Sequence, residues 1–424
     1  MEKTKHSLLF IADLDPRNGG AQKNTIKTAP YLSQYFDIHI LVESLSGNIE
    51  QYLESKGIDI IRGTIDLKNI NRIVIEKGIE AIVTQWEYPK WLALTLDARK
   101  ATGVKVLHMI HELPYVGTPS NRVVRNWETL TIFWFVKNLI MHLIKLLKTR
   151  ENVLNGQTSL LPNSNSAKTL FAKGRESLSI YLKTLKSMKS ADALILMGPA
   201  SEYYVKHYSS LKGNLRIVDH NAAVDTTINL NEKLPNYKFD ICFMARLEPG
   251  KGIFSVLKIL HILKKDFSKT VSLIVLGKFV DEDVEKRFQS MCKKLNIQDN
   301  VTLAGFVQEI DKFEILRQSR IFLYPSNKDV FSISLAEALY AGCPAVVFKL
   351  PFTLNFNTRA LHKVSLRINK MSLETKKLLS LSYADPEEFS QIRKEAHQYV
   401  VENFSWNKSA EDQKKILLDV LNSS

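Results

Sequence analysis

Asp329 and Glu337 stand with seven residues between them across the start of an apolar segment, Phe331 to Ala341, which Gly342 closes and Pro344 stops. The apolar run Ile321-Phe-Leu-Tyr324 precedes them and reads as a buried strand. The stretch therefore predicts strand, loop and helix, with Asp329 in the loop and Glu337 more than a turn inside the helix. A helix start offers free N–H groups and a positive dipole end, which together attract anions. Carboxylates repel phosphate but accept hydrogen bonds from sugar hydroxyls. Acid, helix start and acid in that order suit a ligand with hydroxyls at both ends and phosphate between them.

Two cations fall in a comparable place. Arg246 and Lys251 lie five positions apart in Arg246-Leu-Glu-Pro-Gly-Lys-Gly252, after the apolar run Phe239 to Ala245. On such a loop both can reach a diphosphate, Arg as a planar fork and Lys as a point charge. Near the other end, Gly19 and Gly20 follow the first apolar run and open a helix, so the backbone can approach a ligand closely. Val106-Leu-His-Met-Ile-His-Glu-Leu-Pro114 ends a further strand and brings His111 and Glu112 to its tip. His108 points to the opposite face by the strand period of two and is given no role. Taken singly, each motif also reads as an ordinary turn with solvated charges.

The elements that must hold these residues alternate. Strands are predicted at Leu8–Ala12, Ile38–Val42, Ile58–Ile61, Ala81–Thr84 and Val104–Ile110, with helices at Gln22–Ser33, Ile49–Lys56, Leu67–Lys77 and Pro89–Ala101. Another strand lies within Ala191–Pro199, a helix starts near Ser201, and Leu215–Val218 is a strand before the turn Asn221-Ala-Ala-Val-Asp225. The alternation restarts with Phe239–Ala245, Val271–Leu276, Val301–Ala304, Ile321–Tyr324 and Ala345–Phe348, and ends in helices at Asp385–Asn403 and Asn407–Leu421. Short apolar strands between helices indicate parallel sheets covered on both faces, with right-handed crossovers and ligands at the carboxyl ends of strands. The fold class is α/β, with two doubly wound Rossmann-like domains over residues 1–225 and 237–400. The polar segment 226–236 contains Pro235, lacks periodicity and reads as the linker.

In that order, the motifs resemble the retaining glycosyltransferases of the GT-B fold, the large group 1 family with its acid-x7-acid signature. Pro325, Ser326, Phe331, Glu337, Ala338 and Gly342 match the signature; Asp329 replaces its first Glu, and Val330 and Ser332 replace two small positions. Gly19-Gly20-Ala21-Gln22 is similar to the family's glycine-rich loop, and His111-Glu112 to its His-Asp pair. Asn221 to Asp225 is similar to its Asn-Gly-Val-Asp segment, and Arg246-x4-Lys251 to its diphosphate motif with Ala245 in place of the leading Gly. Phe404-Ser-Trp406 is similar to its closing segment. The resemblance implies two domains facing a cleft and a terminal helix, 401–424, that crosses back to the first domain. It implies catalytic roles for Asp329, His111, Arg246 and Lys251. Donor binding would fall to Glu337, Arg246, Lys251, Ser332, Ile333, Gly19 and Gly20, and the acceptor side to Gly20 and Glu112. It implies transfer of a sugar from a UDP- or GDP-sugar with retained configuration, and neither metal nor cofactor. A binding scaffold that has lost catalysis and a nucleotide-sugar epimerase are the alternatives.

Composition sets the remaining bounds. The 424 residues suffice for two or three domains, and 45% hydrophobic with 24% charged residues is ordinary for a globular protein. Cys242, Cys292 and Cys343 are far apart and match no metal spacing or disulfide framework, which predicts a reducing, cytoplasmic setting. The first strand begins too early for a secretory signal. A net charge of +14 predicts an anionic partner. No aromatic-basic signature of nucleic-acid binding is present, so nucleic acid is not expected. Thr129–Lys148 is rich in Leu, Ile, Phe and Trp, but Lys137, Asn138, His142, Lys145 and Lys148 interrupt it too often for a spanning helix. It reads either as a core helix or as a helix lying in a membrane interface. Between Lys137 and Lys189 ten Lys and Arg face two acids, Glu151 and Glu176. That imbalance points to an anionic membrane surface against residues 129–189, at the inner face, with a glycan or lipid-linked acceptor.

Overall fold

The structure is a computed structural model that describes residues 5–15, 20–85, 89–110, 189–198, 215–218, 224–225, 236–327, 329 and 331–423. The first domain contains β1 (His6–Ile11), α1 (Gly20–Leu32), β2 (Phe36–Val42), α2 (Gly47–Glu54), β3 (Asp59–Arg62), α3 (Leu67–Glu76), β4 (Ala81–Gln85), α4 (Pro89–Thr102), β5 (Lys105–Ile110), β6 (Ala193–Met197) and β7 (Leu215–Val218). All pairings in its seven-stranded sheet are parallel, in the order β3-β2-β1-β4-β5-β6-β7. Alternation along β1 divides the core. Leu8 and Phe10 face one layer, and Leu9 and Ile11 face the other, against Ile70, Ile73 and Trp91.

The second domain contains β8 (Phe239–Met244), α5 (Ile253–Asp266), β9 (Leu273–Leu276), α6 (Glu282–Leu295), β10 (Val301–Gly305), α7 (Glu309–Arg317), β11 (Ser319–Tyr324), α8 (Ile333–Tyr340), β12 (Ala345–Phe348), β13 (Leu361–Val364), α9 (Ile368–Ala384) and α10 (Pro386–Asn403). Its six strands are also parallel, ordered β10-β9-β8-β11-β12-β13. Local chemistry sets the helix ends. At α6 the Asp281 carboxylate accepts the Val284 N–H at 2.8 Å, Glu282, Asp283 and Glu285 follow, and Asn296 closes the helix at φ 53°. In each sheet the order reverses once, between β1 and β4 and between β8 and β11, and crevices for ligands open beside such reversals.

The last helix, α11 (Trp406–Asn422), leaves the second domain and lies on α1. Its Ala410, Ile416, Leu417 and Val420 complete one layer of the first domain's core. The ammonium of Lys105 on β5 caps it, donating to the carbonyls of Val420, Leu421 and Ser423 at 2.7, 3.1 and 2.6 Å. Val224 pairs with Ser405, so the end of the first domain meets the chain as it returns. The two domains therefore face one another with the terminal helix crossing back, the GT-B arrangement.

The structure shifts some expected elements. The helix predicted to end at Asn403 does so, and the helix predicted from Asn407 starts one residue earlier, at Trp406, because Ser405 caps it by accepting the Lys408 N–H. The helix expected from Phe331 starts at Ile333: Ser332 caps it, and the Phe331 ring packs on Phe356 and Phe404 instead. Strand β13 and helix α9 are additions, since Leu361-His-Lys-Val364 is too short and too polar to signal a strand. Residues 226–235 of the expected linker, Asn221 to Ala223, the helix from Ser201 and the segment 129–188 lie outside the described residues. Among the described residues no helix is long and apolar enough to cross a membrane.

Candidate active site

The loops that leave β8 and β11 at the reversal of the second sheet are built against each other. After β8 the chain makes a tight turn over Pro249–Lys251 and reaches Gly252 in the left-handed region, φ 89°. A Cβ on Gly252 would lie 2.2 Å from the Pro325 carbonyl oxygen, so only glycine lets the loops close. The Asn327 N–H then donates to the Gly250 carbonyl at 3.1 Å. This approach sets the Lys251 ammonium 2.6 Å from Asp329 Oδ1, with both side chains largely buried.

Asp329 is held from the other side as well. Tyr324, the last residue of β11, and Ser326 donate their hydroxyls to its Oδ2 at 2.9 and 2.6 Å. Burial, and next the negative charge of Asp329, push the Tyr324 phenol up to about 12. The phenol therefore stays a donor at any physiological pH. Ser332 accepts the Leu335 N–H at 3.2 Å and presents the start of α8 beside this acid, with Ile333 partly buried next to it. Arg246 is exposed and pairs with Glu248 at 3.1 Å.

Glu337 lies one turn into α8 and is 5% exposed. Its Oε1 accepts from Lys312 of α7 at 2.9 Å and from Lys23 of α1 at 2.9 Å. Lys23 belongs to the first domain, so an ion pair spans the two domains at this point. One turn further along α1, Lys27 pairs with Asp225 at 3.1 Å. Across the first sheet's reversal, Gln85 at the end of β4 accepts the Asp13 N–H at 3.3 Å and donates to Thr25 at 3.0 Å.

Of the residues expected from sequence, Asp329 and Lys251 meet directly. Glu337, Ser332 and Ile333 sit on the adjoining helix, and Arg246 stands on the same loop as Lys251. Gly20 opens α1, while Gly19, His111 and Glu112 lie outside the described residues. His108 is fully buried, its Nδ1 2.6 Å from the Thr84 hydroxyl, which makes it a structural histidine. Local sequence carries no pairing signal for Lys23 or Lys312, because their partner Glu337 lies on another helix, and the sequence reading gave Tyr324, five residues before Asp329, only a place in the strand. The sequence reading also passes over Asp13 and Asp15, two apart at the tip of β1, where Asp13 Oδ1 accepts the Asp15 N–H at 3.0 Å. No group of three or more His, Cys, Asp or Glu that could hold a metal occurs among the described residues.

Comparison with known proteins places this arrangement. Residues 226–359, which carry both loops and α8, match the family described as glycosyl transferases group 1. The chain is 24% identical over 327 residues to the capsular polysaccharide biosynthesis glycosyltransferase CapH of Staphylococcus aureus, covering 77% of this chain and 76% of CapH. Residues 226–359 of this chain are thus similar to a group 1 glycosyltransferase domain. The matched span holds Arg246, Lys251, Asp329 and Glu337, whereas Lys23 lies before it. Solved structures agree on the fold along the whole chain. A glycosyltransferase from Rickettsia africae has a TM-score of 0.68 at 16% identity, covering 100% of both chains. HepE from Anabaena, solved in complex with UDP-glucose, has a TM-score of 0.66 at 14% identity, covering 97% of this chain and 99% of HepE. At these identities the likeness is one of GT-B fold.

Proposed function

We propose that the chain is a retaining glycosyltransferase that moves a sugar from a nucleoside-diphosphate sugar to a glycan or lipid-linked acceptor, without a metal. The observation that carries this reading is the meeting of the Lys251 and Asp329 loops beside Glu337, at the strand reversal of the matched domain. Lys251 and Arg246 neutralise the charge that grows on the leaving diphosphate, assisted by the N–H groups at the start of α8. Asp329 accepts a hydroxyl of the transferred sugar, and Glu337 accepts the ribose hydroxyls. By the resemblance, His111 would serve the transferred sugar, Glu112 the acceptor, and Gly19 and Gly20 the donor phosphates.

The acceptor hydroxyl attacks on the face that the diphosphate leaves, and a donor phosphate oxygen takes its proton. The carbon–oxygen bond to the phosphate breaks as the new glycosidic bond forms. The UDP and UDP-glucose bound to HepE favour uridine as the nucleoside, with a GDP-sugar as the second candidate. The basic span 129–189 would hold the enzyme on an anionic membrane surface from the cytoplasmic side. Flotation with anionic vesicles tests that part: binding that weakens with salt supports it, and no binding removes it.

The deciding experiment is thermal stabilisation by UDP, GDP and their common sugars, with Glu337→Ala as control, followed by product analysis. A shift with one nucleotide that vanishes in the control, and a product of unchanged anomeric configuration, is the expected result. An inverted product rejects the retaining route. Nucleotide binding with no transfer supports the scaffold reading, and a changed sugar without transfer supports epimerisation.

A further inference from the structure

We infer that Lys23 and Lys312 are positioning residues that orient Glu337 for the ribose hydroxyls of the donor, with Lys23 acting from across the cleft. The inference rests on the nucleotide-sugar reading above and adds residues that it does not include.

Both ammonium groups donate to the same carboxylate oxygen, Oε1, each at 2.9 Å. Among the described residues, Oε2 makes no hydrogen bond. A carboxylate can accept about four hydrogen bonds, two on each oxygen. Two cations on one oxygen fix the turn of the group about its last bond and leave the other oxygen to accept. A vicinal diol suits such an oxygen, since each of its hydroxyls donates one hydrogen bond. The cations also offset the cost of keeping Glu337 charged where its side chain is 6% exposed.

Both cations are lysines, and that chemistry matters. An arginine fork would take both oxygens of the carboxylate and block the diol, whereas an ammonium is a point donor that occupies one. Lys312 lies 25 residues before Glu337, within the same domain, and Lys23 lies 314 residues before it, on α1. Alone, the second domain would present a carboxylate held by one cation. The first domain supplies the other, so ribose recognition is completed only when the domains meet.

Titration calorimetry on the full chain tests this, using the nucleoside diphosphate that stabilises the wild type and its 2′,3′-dideoxy counterpart. The wild type should bind the ribose form about tenfold more tightly than the dideoxy form. Lys23→Met and Lys312→Met should weaken the ribose form about tenfold and leave the dideoxy form unchanged, and Lys23→Arg should not restore the ribose preference. Equal weakening of both forms, no weakening of either, or full rescue by arginine would overturn the inference while leaving the glycosyltransferase reading intact. A wild type that binds no nucleoside diphosphate removes that reading and the inference together. Should Lys312→Met fail to fold, Lys23→Met carries the test, because the Lys23 side chain is 15% exposed at the domain boundary.

Discussion

Lys251 and Asp329, 78 residues apart in the chain, form a 2.6 Å ion pair between the loops that leave β8 and β11. The pair joins the group expected on the diphosphate to the group expected on the sugar. Removing either should therefore cost more in turnover than in folding. Lys251→Met and Asp329→Asn are each expected to lower kcat/KM by about 10²–10³-fold. Steady-state kinetics beside a melting curve checks this; an equal loss of folded protein would reduce the pair to a structural bridge.

Gly252 is expected to tolerate no side chain. Its φ of 89° is one obstacle, and the 2.2 Å that would separate an added Cβ from the Pro325 carbonyl oxygen is the other. Gly252→Ala should cost about 1–3 kcal/mol of stability, and it should separate Lys251 from Asp329. Urea unfolding measures the first effect and donor binding the second. A variant with wild-type midpoint and wild-type affinity would show that the loops do not need this contact.

Alkaline pH should probe Tyr324. Burial raises its phenol from 10.0 to about 12, so the unfolded chain loses this proton at lower pH than the folded chain. The contribution to stability is complete below about pH 10 and is lost as pH rises from there towards 12, at up to about 1.4 kcal/mol per pH unit. Burial raises Cys343 to about 12 as well, so the wild-type slope is shared. Tyr324→Phe should be less stable near neutral pH, having lost its hydrogen bond to Asp329, yet show a shallower fall above about pH 10. Denaturant midpoints across that range decide the matter, and parallel slopes in the two proteins would contradict it.

The terminal helix should depend on Lys105. Its ammonium serves the carbonyls of Val420, Leu421 and Ser423, groups that a helix end otherwise leaves unpaired. Lys105→Met is expected to cost about 1–2 kcal/mol and to raise hydrogen exchange along the last turn of α11. Exchange that rises evenly over the first domain would instead mean that the helix and the domain open as one unit.

Much of the architecture was legible in the residue pattern. Parallel strands buried on both faces need runs such as Leu8-Leu-Phe-Ile11 and Ile321-Phe-Leu-Tyr324, and the helices between them need caps such as Asp281 and Ser332, all of them local features. The loop positions of Arg246, Lys251 and Asp329 follow from those elements. Strand β13 escaped because four residues at a sheet edge carry too little apolar pattern, and its place comes from pairing with β12. What could not be read locally is which charges meet. Lys23, Lys312 and Glu337 lie on three helices and share one oxygen only where the first domain meets the second. Pairing of that kind depends on distances through space, which sequence spacing does not encode, whereas hydrophobic period and capping depend on neighbours along the chain.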